Sequence, residues 1–167
     1  MTTMTETTTQ VYRVYIRTTA QQIWDAITQS EWSNRYGYGG LMHYDLRPGG
    51  AFKATASEAM LAGGAPETII DGEVLEADPP RKLVQTWRML MDDALAAEGF
   101  TRLTYEIQEI EGGYCKLTVV HDLEGAPGLA HVVGGGIEAE GGGGGWAWIL
   151  SDLKSLLETG KGFIPRS

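Results

Sequence analysis

The side chain with the widest chemical options in this sequence is His121, near the end of a predicted strand. Strand alternation places it on the same inward face as Val119, close to Trp87 and to the Trp146 end of the last predicted helix. An imidazole with a pKa near neutrality can anchor a polar ligand group or transfer a proton. The strand pattern places no carboxylate or nucleophile beside its imidazole. A structural histidine is therefore the favoured interpretation, with acid–base catalysis by His121 as the alternative.

Aromatic and apolar side chains form a second group with a potential role. Rings with one polar tip suit the lining of an apolar pocket, and they suit a plain core equally well. The residues predicted to line a ligand cavity are Trp32, Tyr36, Tyr38, Phe52, Trp87, Tyr105, Val119, His121, Trp146 and Ile149. Trp32, Tyr36 and Trp148 fall outside the strictest apolar pattern, so they can belong either to the core or to the cavity mouth.

Metal and thiol chemistry are not predicted. The three histidines, His43, His121 and His131, lie far apart without the short spacings of a zinc site, and Cys115 has no second thiol. A nucleophilic thiol would need an activating base, so Cys115 is interpreted as a small core residue. No metal and no cofactor are expected.

Two glycine runs, 134–136 and 141–145, stand before the last predicted helix. They lack the Lys-Ser/Thr that follows a phosphate-binding loop, so a flexible hinge is the preferred interpretation. Residues 124–145 are then hypothesised to form a mobile lid, with Glu138 and Glu140 as solvated charges. The sequence leaves open whether residues 134–145 form a mobile lid or an ordered helix.

Alternation of polar and apolar residues predicts seven strands. They cover residues 11–18, 41–46, 51–57, 67–76, 82–90, 101–110 and 114–122. The turns Arg47-Pro48-Gly49-Gly50 and Glu111-Gly112-Gly113 predict hairpins, so neighbouring strands should pair antiparallel. Residues 91–99 are interpreted as a polar, alanine-rich connection.

Helices are predicted on both sides of these strands. Thr18 or Thr19 can cap a first helix, and Ser30 a short second one. The terminal helix begins near Gly145, carries an apolar stripe, and is ended by Gly160 and Pro165. The stripe consists of Trp146, Ile149, Leu150, Leu153, Leu156 and Leu157. The opposite, polar side is assigned to Ser151, Asp152, Lys154, Ser155 and Glu158.

Five segments, in a fixed order, carry a family resemblance. They are Tyr15 to Ile27, the Arg47-Pro48-Gly49-Gly50 turn, Gly72 to Trp87, Thr118 to His121 and the final helix from Gly145. Together they resemble the START-like superfamily, and within it the branch of the activator-of-heat-shock-protein-ATPase homologues. The resemblance implies an α+β helix-grip fold: a curved antiparallel sheet wrapped around a long C-terminal helix, with two short helices after strand one. It also implies a hydrophobic cavity between sheet and helix.

Composition fits one globular domain, with 43% hydrophobic and 21% charged residues in 167. A disordered tail is predicted over 1–10, a START-like domain over 11–160 and a C-terminal tail over 161–167. No apolar run reaches the roughly 20 residues that span a bilayer, so no membrane partner is expected. A net charge of -9 argues against nucleic acid binding. The single cysteine favours a reducing, cytoplasmic location.

Three functions follow, in order of preference. The first is binding of a small hydrophobic or aromatic molecule between sheet and helix, without a defined catalytic activity. The second is an enzyme of the cyclase, dehydratase or hydrolase type that uses His121. The third is a chaperone-interaction module, ranked last because 167 residues leave no room for the companion domain of the eukaryotic activators. The exposed edges of long hairpins also permit a homodimer.

Overall fold

A computed structural model of the protein describes residues 8–141 and 143–164. Within these ranges the strands are β1 (Thr9–Ile16), β2 (Leu41–Tyr44), β3 (Ala51–Thr55), β4 (Thr68–Asp78), β5 (Lys82–Met89), β6 (Thr101–Ile110) and β7 (Tyr114–Asp122). The helices are α1 (Ala20–Thr28), α2 (Ser30–Ser33), α3 (Glu58–Ala62), α4 (Asp93–Ala97), α5 (Pro127–Val133) and α6 (Gly145–Thr159), with a short 3-10 helix at Glu138–Glu140.

The seven strands form one antiparallel sheet in the order β1-β7-β6-β5-β4-β3-β2. Each predicted strand is present, and the predicted α+β helix-grip fold is confirmed. β1 begins at Thr9, so it includes two residues of the segment predicted as a disordered tail. Residues 1–7 of that tail lie outside the described part of the chain.

Three short helices were not predicted from the sequence. α4 lies within 91–99, where a polar connection was expected, and α5 occupies part of the predicted lid. The Asp92 carboxylate caps α4 by accepting hydrogen bonds from the backbone N–H groups of Ala94 and Leu95. These helices are too short to show a 3.6-residue apolar period, so the sequence pattern cannot reveal them.

Paired residues on neighbouring strands build the concave face of the sheet. Val119, Tyr105 and Leu83 are register partners on β7, β6 and β5, and all three are buried. A second row crosses the other half of the sheet through Met42, Ala54, Ile70 and Met89. Side chains directly opposite each other share a face, so both rows point inward.

α6 closes this concave face with the predicted stripe. Trp146, Leu150, Leu153 and Leu156 are buried, and Gly160 ends the helix in a left-handed conformation while its N–H binds the Leu156 carbonyl. One assignment was wrong: Asp152 was placed on the polar side, yet it is fully buried, at 0% exposure. Pro165 lies outside the described residues.

The edges of the sheet are β1 and β2. α6 covers the end of β1, where the Lys154 ammonium donates to the Tyr15 carbonyl and the Arg17 N–H donates to the Glu158 carboxylate. A homodimer through exposed strand edges stays a prediction. Among the residues that the structure describes, no helix combines the length and the apolar character needed to cross a bilayer.

Candidate functional site

A cavity of about 550 Å³ lies between the concave face and α6. Its lining includes seven of the residues predicted for it: Tyr36, Tyr38, Phe52, Trp87, Tyr105, Trp146 and Ile149. A volume of this size falls in the roughly 300–1,000 Å³ range of small-molecule sites. The structure therefore brings these side chains together around one cavity.

Trp32, Val119 and His121 are not part of the cavity lining. Trp32 is half-buried, with the Arg35 guanidinium 4.6 Å from its ring centroid. Val119 and His121 are fully buried in the core. Strand alternation predicts which side chains point inward, but it cannot tell a cavity wall from packed core.

His121 holds two cavity tryptophans in place through a buried hydrogen-bond chain. Its Nδ1 accepts from the Trp146 indole N–H at 3.1 Å, and its Nε2 lies 2.8 Å from the Thr101 hydroxyl oxygen. That hydroxyl donates to the Trp87 carbonyl at 2.8 Å. The Trp146 donor requires an unprotonated Nδ1, so Nε2 carries the proton and donates to Thr101.

This chain leaves His121 little capacity for acid–base chemistry. Both ring nitrogens are occupied, and burial lowers the pKa of His121 to about 4. The imidazole is therefore neutral at physiological pH. Its geometry matches the structural interpretation favoured from the sequence.

The sequence interpretation overlooked the methionines. Within the described chain every methionine lines the cavity: Met42, Met60, Met89 and Met91. Met42 and Met89 belong to the inward row that crosses β2 to β5. Unbranched, polarisable thioethers adapt to irregular shapes and contact aromatic rings favourably. The inward strand phase of Met42 and Met89 was available from the sequence, but it equally fits core residues.

The lining carries no charged side chain in the part of the protein that the structure describes. The polar side-chain groups of the lining are hydroxyls and indoles. Burial raises the pKa of the Tyr36 and Tyr105 hydroxyls above the ordinary value, so both remain protonated. A charged ligand would find no partner for its charge here.

Tyr38 forms the mouth of the cavity and is 45% exposed. Its hydroxyl accepts a hydrogen bond from the Gly145 N–H at 3.2 Å, and its ring packs on Trp148 with centroids 4.7 Å apart. A Cβ on Gly143 would lie 1.9 Å from the Tyr38 hydroxyl oxygen. This glycine permits a close approach between the glycine run and the mouth.

The segment predicted as a lid is partly helical. The Glu98 carboxylate accepts hydrogen bonds from the N–H groups of Gly128 and Leu129, at 2.8 and 2.9 Å, at the start of α5. Val133 and Ile137 from this segment line the cavity. The segment therefore covers the cavity, and its mobility remains a prediction.

Asp152 is a buried carboxylate that ties two segments to α6. It accepts hydrogen bonds from the Gly37 N–H at 2.9 Å and from the Phe163 N–H at 2.8 Å. Gly37 lines the cavity, and a Cβ added at this position would lie 3.3 Å from the Cγ2 atom of Ile149. Asp152 thus fixes the loop at the cavity mouth. The sequence did not indicate this role, because a charged residue in an amphipathic helix pattern is assigned to the solvent-facing side.

A larger hollow of about 860 Å³ lies elsewhere, and charged side chains of both signs line it. Arg13, Thr118, Glu106 and Lys82 are register partners across β1, β7, β6 and β5. They alternate with the inward row, so they lie on the outer face. Exposed pairs such as Arg81 with Asp78 explain these charges as a solvated surface.

The surroundings of the Cys115 thiol disfavour a nucleophilic role. Burial raises the pKa of Cys115, whose Sγ donates to the Thr18 carbonyl at 3.4 Å. A raised thiol pKa disfavours the nucleophilic thiolate. Across residues 8–141 and 143–164, no group of three or more potential ligand side chains is arranged to hold a metal ion.

The profile of the family described as Activator of Hsp90 ATPase homolog 1-like protein matches residues 17–158. The chain belongs to this family. The match spans the helix-grip core, so membership of the START-like superfamily, expected from the sequence, is confirmed. No curated protein matches the chain.

Solved structures share this START-like fold. A protein from Nitrosomonas europaea is 17% identical, with a TM-score of 0.64 and coverage of 92% of this chain and 96% of that one. The Aha1 dimer from Colwellia psychrerythraea is 17% identical, with a TM-score of 0.62 and coverage of 92% and 98%. An HSP90 activator from Plasmodium falciparum is 21% identical, with a TM-score of 0.53 and coverage of 70% and 73%. At these identities the likeness concerns the fold alone.

Proposed function

We propose that this START-like protein binds one small, uncharged, apolar or aromatic molecule in the cavity between the sheet and α6. The observation that carries the proposal is the lining, which combines aromatic and aliphatic side chains with no charged group among the described residues. Burial of apolar ligand surface supplies about 25 cal/mol per Å², whereas a buried unpaired charge is strongly unfavourable. Neutral ligands are therefore preferred over anions and cations of similar shape.

A fluorescence titration tests this proposal. The neutral probe N-phenyl-1-naphthylamine should brighten on binding to the purified protein, and 2-acetylnaphthalene should displace it. The anion 2-naphthoate, of similar shape, should compete at least about tenfold more weakly, since its charge would lose hydration without gaining a partner. Equal competition by the anion would contradict a neutral site.

A blocking variant links binding to the cavity. Met42→Trp places an indole within the lining, so it should abolish probe binding. Val11→Trp adds the same indole at an exposed strand position and should bind like the unmodified protein. Native mass spectrometry of both variants reports bound molecules and oligomeric state together. Retained binding by Met42→Trp would place the ligand elsewhere.

Chaperone interaction is the lower-ranked proposal, supported by the family description. Its test is the ATPase rate of a purified Hsp90-type chaperone with and without this protein. A rate increase of severalfold that Met42→Trp leaves unchanged would indicate a role on the surface and separate from the cavity. An unchanged ATPase rate would remove this proposal.

A further inference from the structure

One deeply buried hydroxyl on the cavity wall has no hydrogen-bond partner among the residues that the structure describes. Tyr105 lines the cavity and is 9% exposed. In the described ranges, every side-chain nitrogen or oxygen that is sealed from solvent does have a partner. The Tyr105 hydroxyl oxygen must therefore touch open space, and the space that this side chain lines is the cavity.

The neighbouring tyrosines do not share this property. The Tyr36 hydroxyl donates its proton to the Ala26 carbonyl at 2.9 Å, and the Tyr44 hydroxyl donates to the Gln85 amide oxygen at 2.6 Å. Both protons are used within the protein. The Tyr105 proton remains available, and burial raises the pKa of this hydroxyl, so it stays a donor.

Two other polar side chains of the lining show which hydrogen-bonding groups stay available to a ligand. The Ser33 hydroxyl donates to the Gly40 carbonyl and accepts from the Met42 N–H, both at 3.0 Å. The Trp87 indole N–H is a second donor with no hydrogen bond to any described residue, and it can only donate. The deep cavity thus offers donors to a ligand that supplies an acceptor.

We propose that the Tyr105 hydroxyl anchors a neutral ligand through a carbonyl-type acceptor oxygen, so that the cavity selects apolar ketones, quinones or esters over hydrocarbons of the same shape. This inference rests on the proposed cavity function and adds the chemical class of ligand. The acceptor satisfies a buried donor that is otherwise unpaired, and a hydrocarbon leaves that donor unpaired. The apolar body of the ligand packs against the aromatic and methionine side chains.

Matched probes test the proposal on the full-length protein. The ketone 2-acetylnaphthalene and the hydrocarbon 2-isopropenylnaphthalene have nearly the same shape, but only the ketone offers an acceptor. Tyr105→Phe should weaken the ketone about tenfold and leave the hydrocarbon within about twofold, as expected for one buried hydrogen bond. Tyr12→Phe removes a hydroxyl that bonds Gln10 outside the cavity, so it should change neither affinity.

Two readouts separate anchoring from a structural role. Tyr105→Phe should unfold at the same or a higher temperature than the unmodified protein when no ligand is present, since it removes an unpaired polar group. The infrared carbonyl band of bound 2-acetylnaphthalene should lie below its frequency in hexane. This second measurement uses the unmodified protein and does not depend on the variant folding.

The outcomes separate failure of the Tyr105 anchor from failure of the proposed ligand binding in the cavity. If neither probe binds the unmodified protein, the proposed cavity function fails. If both bind while Tyr105→Phe weakens both equally or neither, the anchoring role is overturned and the cavity function stands. A hexane-like carbonyl band in the bound ketone would also overturn it.

Discussion

Two groups of residues at the cavity are held in opposite ways. The locked wall, composed of the lining residues Trp87 and Trp146 with Thr101 and His121 buried behind them, is fixed by directional hydrogen bonds that run from indole to imidazole to hydroxyl to carbonyl. The methionine group, composed of Met42, Met60, Met89 and Met91, contributes flexible side chains without such bonds. The locked wall holds one shape, whereas the methionine group can adjust.

This difference indicates separate roles for the locked wall and the methionine group. Fixed aromatic rings give a ligand a defined surface, and Trp146 lies 6.2 Å from the Tyr105 ring, so the wall also positions the proposed anchor. Thioethers adapt to the remainder of the molecule. We therefore expect stability to depend on the locked wall and ligand range to depend on the methionine group.

The largest expected effect comes from removing the centre of the locked wall. His121→Ala leaves the buried Trp146 N–H without its acceptor and opens a void, which should lower the free energy of unfolding by about 4 kcal/mol. Urea denaturation at pH 7.5 measures it. His43→Ala, at an exposed strand position, should stay within about 0.5 kcal/mol. A loss below about 1 kcal/mol for His121→Ala would show that the wall is not locked by this histidine.

The junction between the wall and the mouth should be the next most sensitive point. Gly145 has φ +69°, and an added Cβ would lie 2.1 Å from the Val133 carbonyl oxygen. Gly145→Ala should therefore cost about 3 kcal/mol through combined backbone strain and overlap. Gly141 has φ +86° with open space around it, so Gly141→Ala should cost only about 1 kcal/mol. Thermal unfolding of both variants compares them, and equal losses would contradict close packing at Gly145.

Acid should lower the free energy of unfolding through His121 in the locked wall. His121 has a pKa lowered from 6.5 to about 4, so the unfolded chain binds a proton between these values while the folded chain does not. Stability is therefore lost as the pH falls from 6.5 to 4, by about 2.5 kcal/mol at about pH 4.5. His121→Gln should lack this component when unfolding free energies at about pH 8 and 4.5 are compared. An identical acid loss in both proteins would contradict a neutral, buried imidazole.

The smallest effect on stability is expected from changes in the methionine group. The double variant Met42→Leu/Met89→Leu conserves volume and should change the unfolding free energy by less than about 1 kcal/mol. Its stiffer side chains should narrow the range of ligands, with 9-acetylanthracene weakened about tenfold and 2-acetylnaphthalene nearly unchanged. Displacement titrations measure both. Parallel changes for the two ketones would remove the adaptive role of the methionines.

Sequence reasoning predicted the strands and the terminal helix because their signals are local. Alternation in β5 to β7, the glycine turns and the stripe from Trp146 to Leu156 each arise within a few neighbouring residues. Seven of the ten residues that sequence reasoning placed at a ligand cavity lie in the lining of the cavity between the sheet and α6. His121 and Val119 lie outside the lining because an inward strand phase gives the direction of a side chain and not the space that it meets. Trp32 lies outside the lining because its aromatic character alone does not fix its position.

The order of strands, turns and helices in the sequence determined an α+β layout with a curved antiparallel sheet around a terminal helix, and the family resemblance added the helix-grip fold and the cavity. Only the tertiary structure decided which polar groups find partners there. Residues distant in sequence, such as Thr101, His121 and Trp146, satisfy one another, while Tyr105 does not meet a partner in the described chain. Hydrogen bonding depends on separations of about 3 Å between atoms. Such separations are fixed when the sheet curves around α6, and they have no counterpart in sequence spacing.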